Sequence, residues 1–134
     1  MFETLANRIR GSHALANHVI LKSDLKLIEL RDALSSADCV VVPSLSEGFG
    51  FAIAEAGAMG KPVIASDVGS VPEVVSGKNI LVPSRDSKAL ADAIARGYNG
   101  DWNSAPLKQF RWDTTLDKYE DNLEYALDQW ENHR

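Results

Sequence analysis

The sequence predicts an α/β domain built on a parallel sheet of about four strands flanked by helices. Three observations predict it. Short β-branched apolar runs alternate with helical patterns along most of the chain. These runs are apolar on both faces, as in parallel strands covered by helices on each side. Serine and glycine punctuate the helical stretches where caps are needed. Alternation of this kind implies right-handed crossovers.

The elements follow in order. A helical-looking segment, residues 2–10, leads to a first strand at Val19-Ile20-Leu21. Leu25, Ile28, Leu30 and Leu34 recur at helical spacing before Ala37. Cys39-Val40-Val41-Val42 is a second buried strand, with Cys39 an inert buried thiol. Phe51-Ala52-Ile53-Ala54-Glu55-Ala56 is a helix ending at Gly57 or Gly60. Pro62-Val63-Ile64-Ala65 is a third strand, and Pro72-Glu73 opens a short helix. Ile80-Leu81-Val82 is a fourth strand. A helix capped by Ser87 then stops at Gly97. Residues 99–106 read as a loop by composition. Residues 113–131 form a long C-terminal helix with Leu116, Tyr119, Leu123, Ala126, Leu127 and Trp130 along one stripe. That stripe is expected to pack on the domain; docking on another lobe or chain is the alternative. Trp102, Trp112 and Trp130 read as core or interface aromatics, and Lys61 and Lys78 as solvated.

Composition bounds the function. With 134 residues, 45% hydrophobic and 25% charged, the chain is an ordinary globular domain, read here as one partial domain over 1–134. A formal net charge of −5 without a basic stripe argues against nucleic acid. The single cysteine forms no internal disulfide and leans towards a reducing compartment. No apolar run approaches the roughly 20 residues of a membrane span, and the N-terminus lacks a secretory pattern. The expected location is cytoplasmic, with peripheral membrane attachment left open. His13, His18 and His133 are scattered without ligand spacing, so no metal site is expected.

Ligands of open parallel sheets bind beyond the carboxyl ends of the strands. Those ends are the loops at Lys22-Ser23-Asp24, residues 43–50, residues 66–70 and Pro83-Ser84-Arg85. The second carries the chemistry. Gly48 and Gly50 let the backbone approach a ligand without a Cβ in the way. The amides of Gly50, Phe51 and Ala52 would be the unpaired donors of a new helix, an anion site suited to a diphosphate. Glu47 precedes the turn and Glu55 follows inside the helix. Two carboxylates facing one crevice would accept hydrogen bonds from sugar hydroxyls. The competing interpretation is structural: Ser44 with Glu47 matches a capping box. Gly48 and Gly50 would then fall in the first helical turns, each costing about 1 kcal/mol. Asp67 is either a ligand contact or a loop cap.

The stretch from Pro43 to Ser66, including Glu47-Gly48-Phe49-Gly50 and Glu55, resembles the donor-binding lobe of the retaining GT-B glycosyltransferases. It is most similar to the large family marked by two glutamates with seven residues between them (glycosyltransferase family four). The resemblance continues through Val68-Gly69-Ser70-Val71-Pro72-Glu73, Ile80-Leu81-Val82-Pro83 and Phe110-Arg111-Trp112, covering most of the chain. It implies half of a GT-B architecture, a Rossmann-like sheet with a C-terminal helix. It implies retaining transfer of a sugar from a nucleotide-diphosphate donor, without metal or cofactor. Glu47 would be the catalytic position, contacting donor-sugar hydroxyls. The backbone of Gly48, Phe49, Gly50, Phe51 and Ala52 would face the sugar and phosphates, Glu55 the ribose, and Lys22 and Ser23 the nucleobase.

The chain also departs from the family. The family's donor lobe opens with two further strand–helix units carrying an arginine and a lysine that grip the phosphates, and residues 2–10 contain nothing matching them. In the family those strands lie between the first and second strands read here, so the two either pair directly or leave a gap for another chain. The acceptor lobe has no counterpart in the sequence. These departures predict weak donor binding and no turnover by the chain alone. They leave three readings: a transferase donor lobe, a non-catalytic binding or regulatory subunit that joins a separate acceptor lobe, and a sugar-nucleotide epimerase, against which the paired glutamates argue. An unpaired parallel edge invites association, so a homodimer or a partner chain is expected.

Overall fold

A computed structural model describes residues 2–133. They fall into two compact units, one ending at Ser36 and the other beginning at Ala37.

The first unit holds helices α1 (Phe2–Arg10), α2 (His13–Ala16) and α3 (Leu27–Ser36). Glu29 reaches back to accept the Lys26 amide at 2.8 Å, which satisfies one of the donors orphaned at the start of α3. The strand expected at Val19-Ile20-Leu21 does not form; these residues are irregular, and Ile20 is 82% exposed. A strand is a pairing, and β-branched residues without a ladder partner have nothing to hold them extended.

The second unit is a four-stranded sheet in the order β1-β2-β3-β4. Strands β1 (Val40–Val42), β2 (Val63–Ser66) and β3 (Gly77–Val82) are parallel, with Val41 beside Ile64 and Ile64 beside Ile80. Strand β4 (Asn103–Ala105) is antiparallel to β3, Lys78 facing Ser104. It lies where composition predicts a loop. Asparagine and serine are weak strand formers, and the pairing with β3 overrides them.

Residue alternation along β2 builds two cores. Val63 and Ala65 point to one face, where they pack with Ile53 and Ala56 of α4 (Phe51–Ala58) and with Val71 and Val74 of α5 (Val71–Val74). Ile64 points to the other face, with Ile80, Val82 and Ala93 of α6 (Ser87–Tyr98). Cys39 and Trp102 close that second core, and burial pushes the Cys39 thiol up. Burying Ile53, Ile64 and Ile80 stabilises the unit by about 1.5–3 kcal/mol for each side chain.

Two helix ends differ from expectation. Asp86, not Ser87, caps α6, accepting the Ala89 amide at 2.8 Å. Helix α6 runs through Gly97 and ends where the Gly100 and Asp101 amides bond the Gly97 and Arg96 carbonyls at 3.0 Å each. Gly97 serves a different end, because a Cβ there would stand 2.7 Å from the Trp102 ring. Helix α4 behaves alike, passing Gly57, which lies against Ser76, and closing at Gly60. Lys61 is not simply solvated either, since its ammonium donates to the Ala37 carbonyl at 2.9 Å.

Helix α7 (Trp112–Glu131) forms with the predicted bounds to within a residue. Its apolar stripe is not buried on the domain: Leu116, Tyr119, Leu123 and Leu127 are 50–64% exposed. Amphipathic spacing states that one face prefers cover, not what covers it. Trp112 is also exposed, whereas Trp102 is the core tryptophan. Among the described residues no helix is long and apolar enough to cross a membrane.

Candidate functional site

The loop after β1 turns into α4 through Gly50, the N-cap, whose φ of 91° is left-handed backbone that favours glycine. No side chain caps the helix. The Gly50 carbonyl accepts the Ile53 and Ala54 amides at 3.0 Å each. Among the described residues no protein group takes the Phe51 or Ala52 amide. Both residues are exposed, and two donors at the positive end of the helix dipole are left without a protein partner.

Ser44 and Glu47 do not form a capping box. The helix starts at Phe51, too late for Glu47 to occupy its third position. Instead the Ser44 hydroxyl donates to Glu47 Oε1 at 2.6 Å. That bond fixes the carboxylate of a half-buried residue and leaves its second oxygen as an acceptor.

Phe49, between Gly48 and Gly50, is the mechanical centre of the loop. Its ring lies 5.0 Å from those of Phe51 and Phe110, the latter edge-on at 81°. Its carbonyl accepts the Ser70 hydroxyl at 2.9 Å, which ties the loop to the start of α5. Lys108 donates to the Glu73 carbonyl at 2.6 Å and so holds the segment carrying Phe110 against α5. Sequence reasoning did not single out Ser70 or Lys108; neither belongs to a local pattern, because both act across more than twenty residues.

Glu55 is exposed on α4 and lines a cavity of about 610 Å³ with Phe49, Phe51, Ala58, Phe110 and Arg111. Glu47 does not line that cavity. Gly48 and Ala52 are exposed beside the helix start, and Gly50 is buried. Lys22 and Ser23 belong to the first unit, exposed between α2 and α3. Asp67 is exposed after β2, its amide bonded to the Val82 carbonyl at 2.8 Å. Among the described residues no group of three or more histidine, cysteine or acidic side chains gathers as a metal site would.

Comparison with known proteins adds to this geometry. The family described as "Glycosyl transferases group 1" matches residues 3–99. A D-inositol 3-phosphate glycosyltransferase of Saccharomonospora viridis is 43% identical over 70 residues, 51% of this chain and 16% of that protein. The enzyme of the same name from Xylanimonas cellulosilytica is 34% identical over 121 residues, 78% of this chain and 29% of its own length. The O-antigen chain mannosyltransferase B of Escherichia coli is 36% identical over 87 residues, 59% of this chain and 23% of that protein. The chain thus spans less than a third of the relatives it matches. Among solved structures, sucrose-phosphate synthase from Thermosynechococcus elongatus superposes with a TM-score of 0.66 at 34% identity, covering 74% of this chain and 25% of that one.

Proposed function

The chain belongs to the group 1 glycosyl transferases, and from that premise we propose that it is a donor-binding lobe that holds a nucleotide-diphosphate sugar for retaining glycosyl transfer. Its sheet and flanking helices are the Rossmann-like half of a GT-B architecture. The observation that carries the proposal is the open start of α4, with the Phe51 and Ala52 amides unclaimed and Glu47 and Glu55 on either side of it in the chain. In this reading the two amides take the diphosphate and stabilise it as it leaves, a form of electrostatic catalysis. Glu47, oriented by Ser44, accepts from hydroxyls of the sugar, and the backbone from Gly48 to Ala52 lies along sugar and phosphates. Glu55 accepts from the ribose. The donor is a substrate; no metal or resident cofactor is needed.

The chain by itself binds weakly in this reading. An exposed helix terminus contributes about 0.3–1 kcal/mol towards an anion, and no arginine–lysine pair like that of the family stands in residues 2–10. Acceptor recognition then falls to a further lobe or partner chain. Titration calorimetry with nucleoside diphosphates tests this: the expected result is binding weaker than micromolar and no turnover. Micromolar affinity, or transfer by this chain alone, would overturn the assignment of the missing contacts. A lack of any diphosphate binding at millimolar ligand would overturn the donor site itself.

A further inference from the structure

We propose that the second unit carries another binding site, for a small monocarboxylate with a compact apolar body, at the carboxyl end of the sheet on the face covered by α6. A cavity of about 210 Å³ opens there, with walls from Leu45, Val82 and Leu90 and polar groups from Ser66, Arg85 and Ser87. Helix α4 belongs to the other face of the sheet, so this cavity is separate from the opening at the start of that helix, although Leu45 comes from the same loop as Glu47.

Ser66 is the residue that asks for a ligand. It is the last residue of β2 and falls on the Ile64 side of the strand by alternation. The residue is 3% exposed. Among the described residues its hydroxyl has no protein partner, yet no fully sealed polar atom is left unsatisfied, so the hydroxyl opens into the cavity it lines. There it is open to solvent and free to donate a hydrogen bond to an acceptor that enters. Arg85 supplies the charge. Arg85 lines the same cavity, and its guanidinium pairs with no carboxylate among the described residues. Ser87 adds a hydroxyl and the start of a 12-residue helix.

The remaining lining residues choose the ligand. Asp86 stands at the rim with its carboxylate capping α6. One negative charge already there disfavours a dianion such as a phosphate monoester more than a single carboxylate. A planar carboxylate matches the guanidinium in a two-pronged pairing. The apolar walls then suit a short branched alkyl group rather than a second polar head.

The test is a titration of ¹⁵N-labelled protein with sodium isobutyrate at constant ionic strength, followed by amide shifts. Parallel titrations use acetate and inorganic phosphate. The expected result is saturable shifts at Ser66, Arg85 and Ser87 with isobutyrate, weaker with acetate. Arg85→Asn, chosen because asparagine tolerates the left-handed backbone at this residue (φ 62°), is expected to weaken binding about tenfold or more. Ser66→Ala, which keeps the strand, is expected to weaken it by a smaller factor. The site is refuted by an absence of saturation, or by affinity unchanged in both variants. Tighter binding of phosphate than of isobutyrate would overturn the monocarboxylate assignment.

Discussion

Gly69 lies so close to the backbone carbonyl of Glu47 that no side chain fits between them. The loop after β2 thereby braces the loop after β1, and the bond from Ser70, the next residue, to the Phe49 carbonyl closes the brace. The position of Glu47 is thus set by residues more than twenty positions away.

Gly69→Ala tests the brace. Its φ of +51° and the lack of space both oppose a Cβ, so the variant is expected to lose about 2–4 kcal/mol. Ser70→Ala removes one hydrogen bond and costs about 1 kcal/mol. Urea denaturation measures both; a Gly69→Ala midpoint equal to that of the parent would show that the two loops do not touch.

The roles proposed for the two glutamates are separable by mutation. In an enzyme completed with the rest of the family's architecture, Glu55→Ala is expected to weaken binding of every nucleotide, while Glu47→Ala lowers turnover or sugar recognition and spares nucleotide binding. Binding and rate measurements on the two variants check this. If both changed stability alone, the carboxylates would be structural.

The cap of α6 is testable by a paired substitution. Asp86→Ala removes the bond to the Ala89 amide and should cost about 1 kcal/mol. Ser87→Ala, within the first turn, should change stability by less than about 0.5 kcal/mol. The reverse order would restore serine as the cap.

Gly97→Ala sets helix propensity against packing. Alanine favours the helix by about 1 kcal/mol, but its Cβ would strike the Trp102 ring that closes the second core. Overpacking costs about 1–3 kcal/mol, so the net effect is expected to be neutral to destabilising, with the Trp102 emission shifted towards the red. Stabilisation with unchanged emission would place the ring elsewhere.

The start of α7 is sensitive to acid. Bonds from the Arg111 guanidinium, joined by the Thr114 amide, push Asp113 down to about 2. A carboxyl lowered on folding stabilises the folded form above its ordinary value near 4 and loses that contribution as pH falls towards 2. Helicity of α7, followed by circular dichroism or amide exchange, should therefore decline between about pH 4 and 2. Asp113→Asn should flatten that decline. Both side chains are solvent-exposed, so added salt should weaken the effect.

What the sequence alone determined is the part encoded locally. The β-branched runs at Val40–Val42 and Val63–Ser66 and the run through Ile80 state their strand character by composition, and they became the parallel strands, although the outer run was read as buried and leaves Val41 40% exposed. The glycine-framed turn before Phe51 and the stripe of α7 were equally legible, because caps and helical spacing depend on near neighbours. Tertiary structure decided the rest. Val19-Ile20-Leu21 has strand composition but no ladder, and Asn103–Ala105 has loop composition but a place beside β3, because pairing is a property of two segments. Serine at 44 could have capped a helix or held Glu47; only the start of α4 at Phe51 chose between them. The ties from Ser70 and Lys108, and the cavity that joins Ser66 to Arg85, exist because the sheet brings the ends of its strands side by side. No pattern along one stretch of chain can report a distance across three.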